Sequence, residues 1–158
     1  MRPTRNALSE EARRHISAEL NAVLASLIDL SLQLKQAHWN VRGEGFIAIH
    51  ELFDKIHGDV EGYVDSVAER IASLGGRADG TVELVRGGSK LPVYPVSVTD
   101  VNGSLKAVAD ALAAVDKPIG GGILDRCEEL GDAVSVDLLT TLSAMLQKNL
   151  WFVESHLG

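Results

Sequence analysis

A single cysteine, Cys127, among 158 residues rules out an internal disulfide framework and fits a reducing cytosol. Aromatic residues make up only 4% of the chain and strand-like runs are few, so a core drawn from 46% hydrophobic residues is expected to be helical. No apolar run of about eighteen residues and no signal-peptide pattern occurs, which gives membrane spanning and secretion no support and makes the cytoplasm the expected compartment. Positive charge is also short: 15 Lys and Arg face 22 Asp and Glu, and a net charge of −7 disfavours nucleic-acid binding by the body of the protein while suiting attraction of cations. The Glu-x-x-His pair with which four-helix bundles hold two metal ions in their own core is absent throughout.

What the chain does have is a concentration of metal-ligand residue types between His38 and Glu69. Phe46, Ile49, Phe53, Ile56, Val60, Val64, Val67, Ile71 and Leu74 recur in steps of three and four, the period of an amphipathic helix that ends at Gly75-Gly76. On that helix His50, Asp54, Asp65 and Glu69 fall within an arc of roughly 100°, centred roughly 125° from the apolar stripe. The candidate ligands therefore look away from the chain's own core. Asp54 and Asp65 stand eleven residues apart, about 16 Å along the axis, too far for one ion with ligands near 2 Å. An antiparallel copy of the same helix, related by a two-fold near positions 59 and 60, brings His50 beside the partner's Glu69 and Asp54 beside the partner's Asp65. Gly58 and Gly62 lie near that axis, where they either allow two backbones to approach or have no packing role.

The preceding helix is read from about Ile16, with Leu20, Val23, Leu24, Leu27, Leu30 and Leu34 on one face and the row Leu24, Ser31, His38 in steps of seven. A turn at Asn40 to Gly45 folds it back so that His38 meets His50. Two His and three carboxylates suit Fe(II), and anionic oxygen favours the ferric product, although zinc or manganese fits the same donors. His15, His57 and His156 lack such company and read as surface or packing residues. Trp39, next to His38, reads as core filler on composition alone.

KQAHWNVRGEGFIAIHELFDKI followed by DSVAERIASLGG closely resembles the DNA-protection-during-starvation (Dps) family of miniature ferritins. The resemblance covers residues from about 20 to the end. It implies an all-α, ferritin-like four-helix bundle with a long crossover between helices two and three, as a single domain over 1–158. It also implies an inter-subunit ferroxidase centre, to which His38, His50 and Asp54 from one subunit and Asp65 and Glu69 from its neighbour correspond. The implied function is oxidation of Fe(II), with hydrogen peroxide preferred over dioxygen, and storage of ferric mineral in a hollow homododecamer that protects against oxidative damage. Trp39 takes the place of a Trp that family members carry near the iron, an electron donor or radical trap. The alternative is a nucleoid-binding structural protein with minor ferroxidase activity.

Residues 1–14 form a flexible, mildly basic arm in this reading, with Arg2, Arg5, Arg13 and Arg14 against Glu10 and Glu11, so DNA binding is expected to be weak. Gly87-Gly88, Pro92 and Pro95 break the helical period between Arg77 and Thr99, where the family places a short helix. A third helix from near Asp100 is interrupted by Lys117-Pro118-Ile119-Gly120-Gly121-Gly122, a departure from the family pattern that predicts a kink. It resumes at Ile123 to Leu130, and a fourth runs from Val134 to Leu157 with no basic tail after it. Glu128, Glu129, Asp132 and Asp137 are either a solvated acidic turn or the family's acidic three-fold pore.

Overall fold

Ser9 opens the first helix by accepting a hydrogen bond from the Ala12 amide at 3.1 Å, and Glu10 and Glu11 oppose the positive end of the helix dipole in the first turn. In the computed structural model, which describes residues 1–158, α1 consequently spans Glu10–Asn40 and starts six residues before the expected Ile16. Arg13, read from sequence as part of a flexible arm, is buried and donates to the Leu74 carbonyl at 2.8 Å. The amide of Arg2 donates to the Gly75 carbonyl at 2.7 Å, and its guanidinium to the Ala72 carbonyl at 3.0 Å. Arg2 and Arg13 thus bind carbonyls at the end of the second helix, where the Ala72 carbonyl also accepts from the Gly75 amide at 3.0 Å. Gly75 is required there: at φ +83°, a Cβ would lie 2.6 Å from the Arg2 carbonyl oxygen.

Helix α2 spans Phe46–Ser73 and buries Ile49, Phe53, Ile56, Val60, Val67 and Ile71 against α1. The expected stripe thus appears, with Val64 half-buried and Phe46 at its open end 39% exposed. The crossover contains α3, Val82–Gly88, which packs across α1 through Val85. Polar side chains of α1 hold the crossover: Asn21 donates to the Arg77 carbonyl at 3.0 Å, Gln33 to the Pro92 carbonyl at 3.0 Å, and Asp29 accepts from Ser89 at 2.6 Å. Gly87 and Gly88 end α3 rather than abolishing it.

Asp100 caps α4, Val101–Pro118, through the Gly103 amide. At Ile119–Ile123 the helix kinks: the Leu124 amide donates to the carbonyl five residues back, but Gly121 and Gly122 leave helical geometry, Gly122 at φ +127°. α5, Leu124–Glu129, follows the kink, and Ile119 and Ile123 remain buried on either side of it. The predicted interruption is present, and the bundle stays closed around it. Asp132 caps α6, Ala133–Glu154.

The four long elements α1, α2, α4–α5 and α6 enclose one core of 29 buried residues in which Phe53 is the only phenylalanine. Leucine, isoleucine and valine fill the space, each worth about 1.5–3 kcal/mol when fully buried, so the scarcity of aromatics leaves no deficit in the core. No helix is long and apolar enough to cross a membrane.

Candidate metal centre

Contacts along the α1–α2 hairpin fix its register. Going away from the turn, His38 meets His50, Lys35 meets Asp54, and Ser31 meets Glu61. The imidazoles of His38 and His50 stack with centroids 3.7 Å apart at 22°. Each ring is held by the other residue's backbone: His38 Nδ1 lies 2.8 Å from the His50 carbonyl, and His50 Nδ1 lies 2.9 Å from the His38 carbonyl.

A carbonyl oxygen can only accept, so both rings carry their proton on Nδ1. In the neutral imidazole this leaves each Nε2 with a free lone pair, the form that ligates a metal, and the backbone does the orienting usually done by a surrounding shell of polar groups. Phe46 closes the open side of His50, ring centroids 5.1 Å apart.

Asp54, one turn along from His50, is exposed, and its Oδ1 accepts from Lys35 Nζ at 2.7 Å. That ammonium holds the Asp54 carboxyl below the usual carboxylate range. Asp65 and Glu69 are exposed farther along the same helix. Nowhere in one chain are three His, Cys, Asp or Glu side chains gathered as a metal ion would need. The chain brings the two histidines together, puts Asp54 beside them, and leaves Asp65 and Glu69 apart.

Trp39 is 68% exposed rather than core filler, and lies beside the site with Lys35 Nζ 6.0 Å from its ring centroid. Lys35 was not singled out from sequence, although its place three residues before His38 puts it one turn away on the same face. The acidic turn also resolves differently from expectation. Asp132 is buried in an ion pair with Arg70 at 2.6 Å and cannot line a pore, whereas Glu128, Glu129 and Asp137 are exposed.

The ferritin-like domain family model matches residues 17–158. A DNA protection during starvation protein of Agrobacterium fabrum is 39% identical over 153 residues, which cover 97% of this chain and 94% of that protein. The solved structure of Mycobacterium smegmatis Dps in its tetragonal form superposes with a TM-score of 0.92 at 35% identity, covering 98% of this chain and 93% of the other. DpsC from Streptomyces coelicolor gives 0.93 at 31% identity, covering 100% and 91%.

Proposed function

The chain belongs to the Dps family of ferritin-like proteins, and from that premise we propose that it is a ferroxidase whose catalytic unit is a two-fold dimer, and that it stores the ferric product in a hollow homo-oligomer. The observation that carries this reading is the reciprocal pair of His Nδ1–carbonyl hydrogen bonds, which presents two free Nε2 lone pairs on one face of the hairpin. His38, His50 and Asp54 form one half of each centre. Asp65 and Glu69 of the partner form the other half, because the three carboxylates spread along α2 too far for one chain to use together. Gly58 and Gly62 support the antiparallel contact, since a Cβ at either would meet nothing within 4 Å in its own chain.

Fe(II) is the substrate. The histidines bind it without losing a proton, and the carboxylates supply the negative charge that stabilises Fe(III) more than Fe(II). With hydrogen peroxide as oxidant, two Fe(II) each lose one electron, the O–O bond takes up both with two protons, and two waters leave. This consumes both reactants that would otherwise generate hydroxyl radical. Lys35 must give up Asp54 as the cation arrives, so the ammonium serves as a counter-ion for the empty site. Trp39, exposed beside the histidines, is placed to supply an electron or quench a radical. Twelve subunits are the assembly that family membership suggests.

Complementation tests the split centre. His50→Ala/Asp54→Ala and Asp65→Ala/Glu69→Ala variants should each lose Fe(II) oxidation, and hetero-oligomers shown to contain both should recover part of it, because some interfaces then pair an intact half from each. Confirmed mixing with no recovered oxidation overturns the split site.

A further inference from the structure

His57 and Glu61 repeat, one heptad on, the i,i+4 spacing of His50 and Asp54; Glu61 falls within the arc of α2 that carries the candidate ligands and His57 about 20° beyond its His50 edge. The structure gives this second pair the company it lacks in sequence. His57 Nε2 lies 3.9 Å from Glu61 Oε1, with side chains 24% and 52% exposed. The buried Ser31 hydroxyl donates to the same Glu61 oxygen and fixes the carboxylate. A gap of 3.9 Å is too long for a hydrogen bond, but two donor atoms each about 2 Å from one ion can lie up to about 4 Å apart.

The dimer proposed above decides what faces this pair, and the inference rests on that reading. A two-fold between positions 59 and 60, perpendicular to both helices, keeps each residue and its mate on the same side of the interface. It sets the two Glu61 residues about 4.5 Å apart along the helix axis, and His57 within about 1.5 Å of the level of the partner's Glu61. Gly58 and Gly62 add no side chain at these levels. In that dimer two carboxylates face each other at the midpoint between the two ferroxidase centres, with an imidazole beside each.

We propose that His57 and Glu61 of both subunits build a third cation site on the dimer axis, one per dimer, which takes a first-row divalent transition-metal ion. Mixed imidazole and carboxylate donors select such ions over Mg²⁺ or Ca²⁺, and Ser31 acts as the hydrogen-bonding group that orients a ligand.

Titration of the assembled apo-protein with Co(II) under anaerobic conditions, followed by calorimetry and by visible absorption, tests this. His57→Ala/Glu61→Gln should lose one equivalent per dimer and keep the rest, and both substituted positions are exposed enough for the fold to survive. His50→Ala/Asp54→Ala should retain the axial equivalent. Stoichiometry unchanged by His57→Ala/Glu61→Gln, or no Co(II) retained by the His50→Ala/Asp54→Ala protein, overturns the axial site. Recovered oxidation in the complementation experiment without an axial equivalent removes this proposal alone, and an axial equivalent without complementation removes the split ferroxidase centre alone.

Discussion

At the scale of single residues, charge placement separates the functional face from the structural one. Lys35 and Asp54 form an ion pair in the open, at the mouth of the candidate centre, where pairing contributes little to stability and the ammonium opposes an arriving cation. Lys35→Met should therefore tighten Co(II) or Zn(II) binding at the histidine centre, by no more than about fivefold as befits an exposed pair, with unchanged thermal stability; calorimetry on the assembled protein measures both binding and unfolding. Arg70 and Asp132 form the opposite case. Asp132 is 2% exposed, and burial alone would raise its pKa. The Arg70 guanidinium at 2.6 Å and the hydroxyl and amide of Ser135 outweigh burial and hold it below the usual carboxylate range. A carboxyl whose pKa is lowered on folding stabilises fully above its unfolded value, about 3.9, and that stabilisation is lost as pH falls through the lower folded value. Asp132→Ala leaves a partly buried guanidinium without its carboxylate and removes the cap of α6, so it should cost about 2–4 kcal/mol in urea unfolding. Asp132→Asn should flatten the acid limb of the stability profile below about pH 4, and an acid limb identical to that of the unsubstituted protein would show that this pair does not control it.

At the scale of elements, legibility in sequence follows periodicity. The α2 stripe and the turn that stacks His38 on His50 were readable because apolar spacing and a glycine-bearing turn each dictate geometry locally. The start of α1 was not, because Arg13 interrupts the apolar pattern in order to pair with a carbonyl 61 residues away, a partner no local rule reveals. The Lys35–Asp54 pair was hidden for the same reason, since it spans the hairpin. The Pro118 break was legible, but its form was not: a kink at Gly121 and Gly122 lets Ile119 and Ile123 both stay in the core. Gly122, at φ +127°, would also place a Cβ 2.8 Å from Arg126 Nη1, so Gly122→Ala should cost about 1–3 kcal/mol. Gly120 and Gly121 have no neighbour within 4 Å and no positive φ, and alanine at either should be neutral or stabilising by up to about 1 kcal/mol. Amides of residues 117–122 should exchange faster than those of 105–115, and uniform slow exchange across both would mean that the break costs no local stability.

At the scale of the whole molecule, the question is whether a protein similar to DNA protection during starvation proteins needs to hold DNA. The chain carries a net charge of −7, and its surface repels phosphate. The four arginines near the start of the chain look like a basic arm in sequence, but the structure leaves little of one. Arg13 is buried, Arg2 is bonded to the end of α2, and Arg14 pairs with Glu10 at 2.7 Å, so Arg5 alone is uncommitted. Avidity argues the other way, because many weak contacts on one assembly can multiply affinity by about 10² to 10⁴ when geometry lets them engage together. That gain needs a starting affinity, and one uncommitted arginine among the four near the start of each chain, set beside an acidic surface, supplies little, all of it sensitive to salt. A mobility-shift titration with linear duplex should therefore show binding only at low ionic strength, and Arg5→Ala should abolish it without changing Fe(II) oxidation. Complexes that persist at near-physiological salt would show that the folded body binds DNA despite its charge, and their persistence in the Arg5→Ala protein would place the contact away from the chain's first residues.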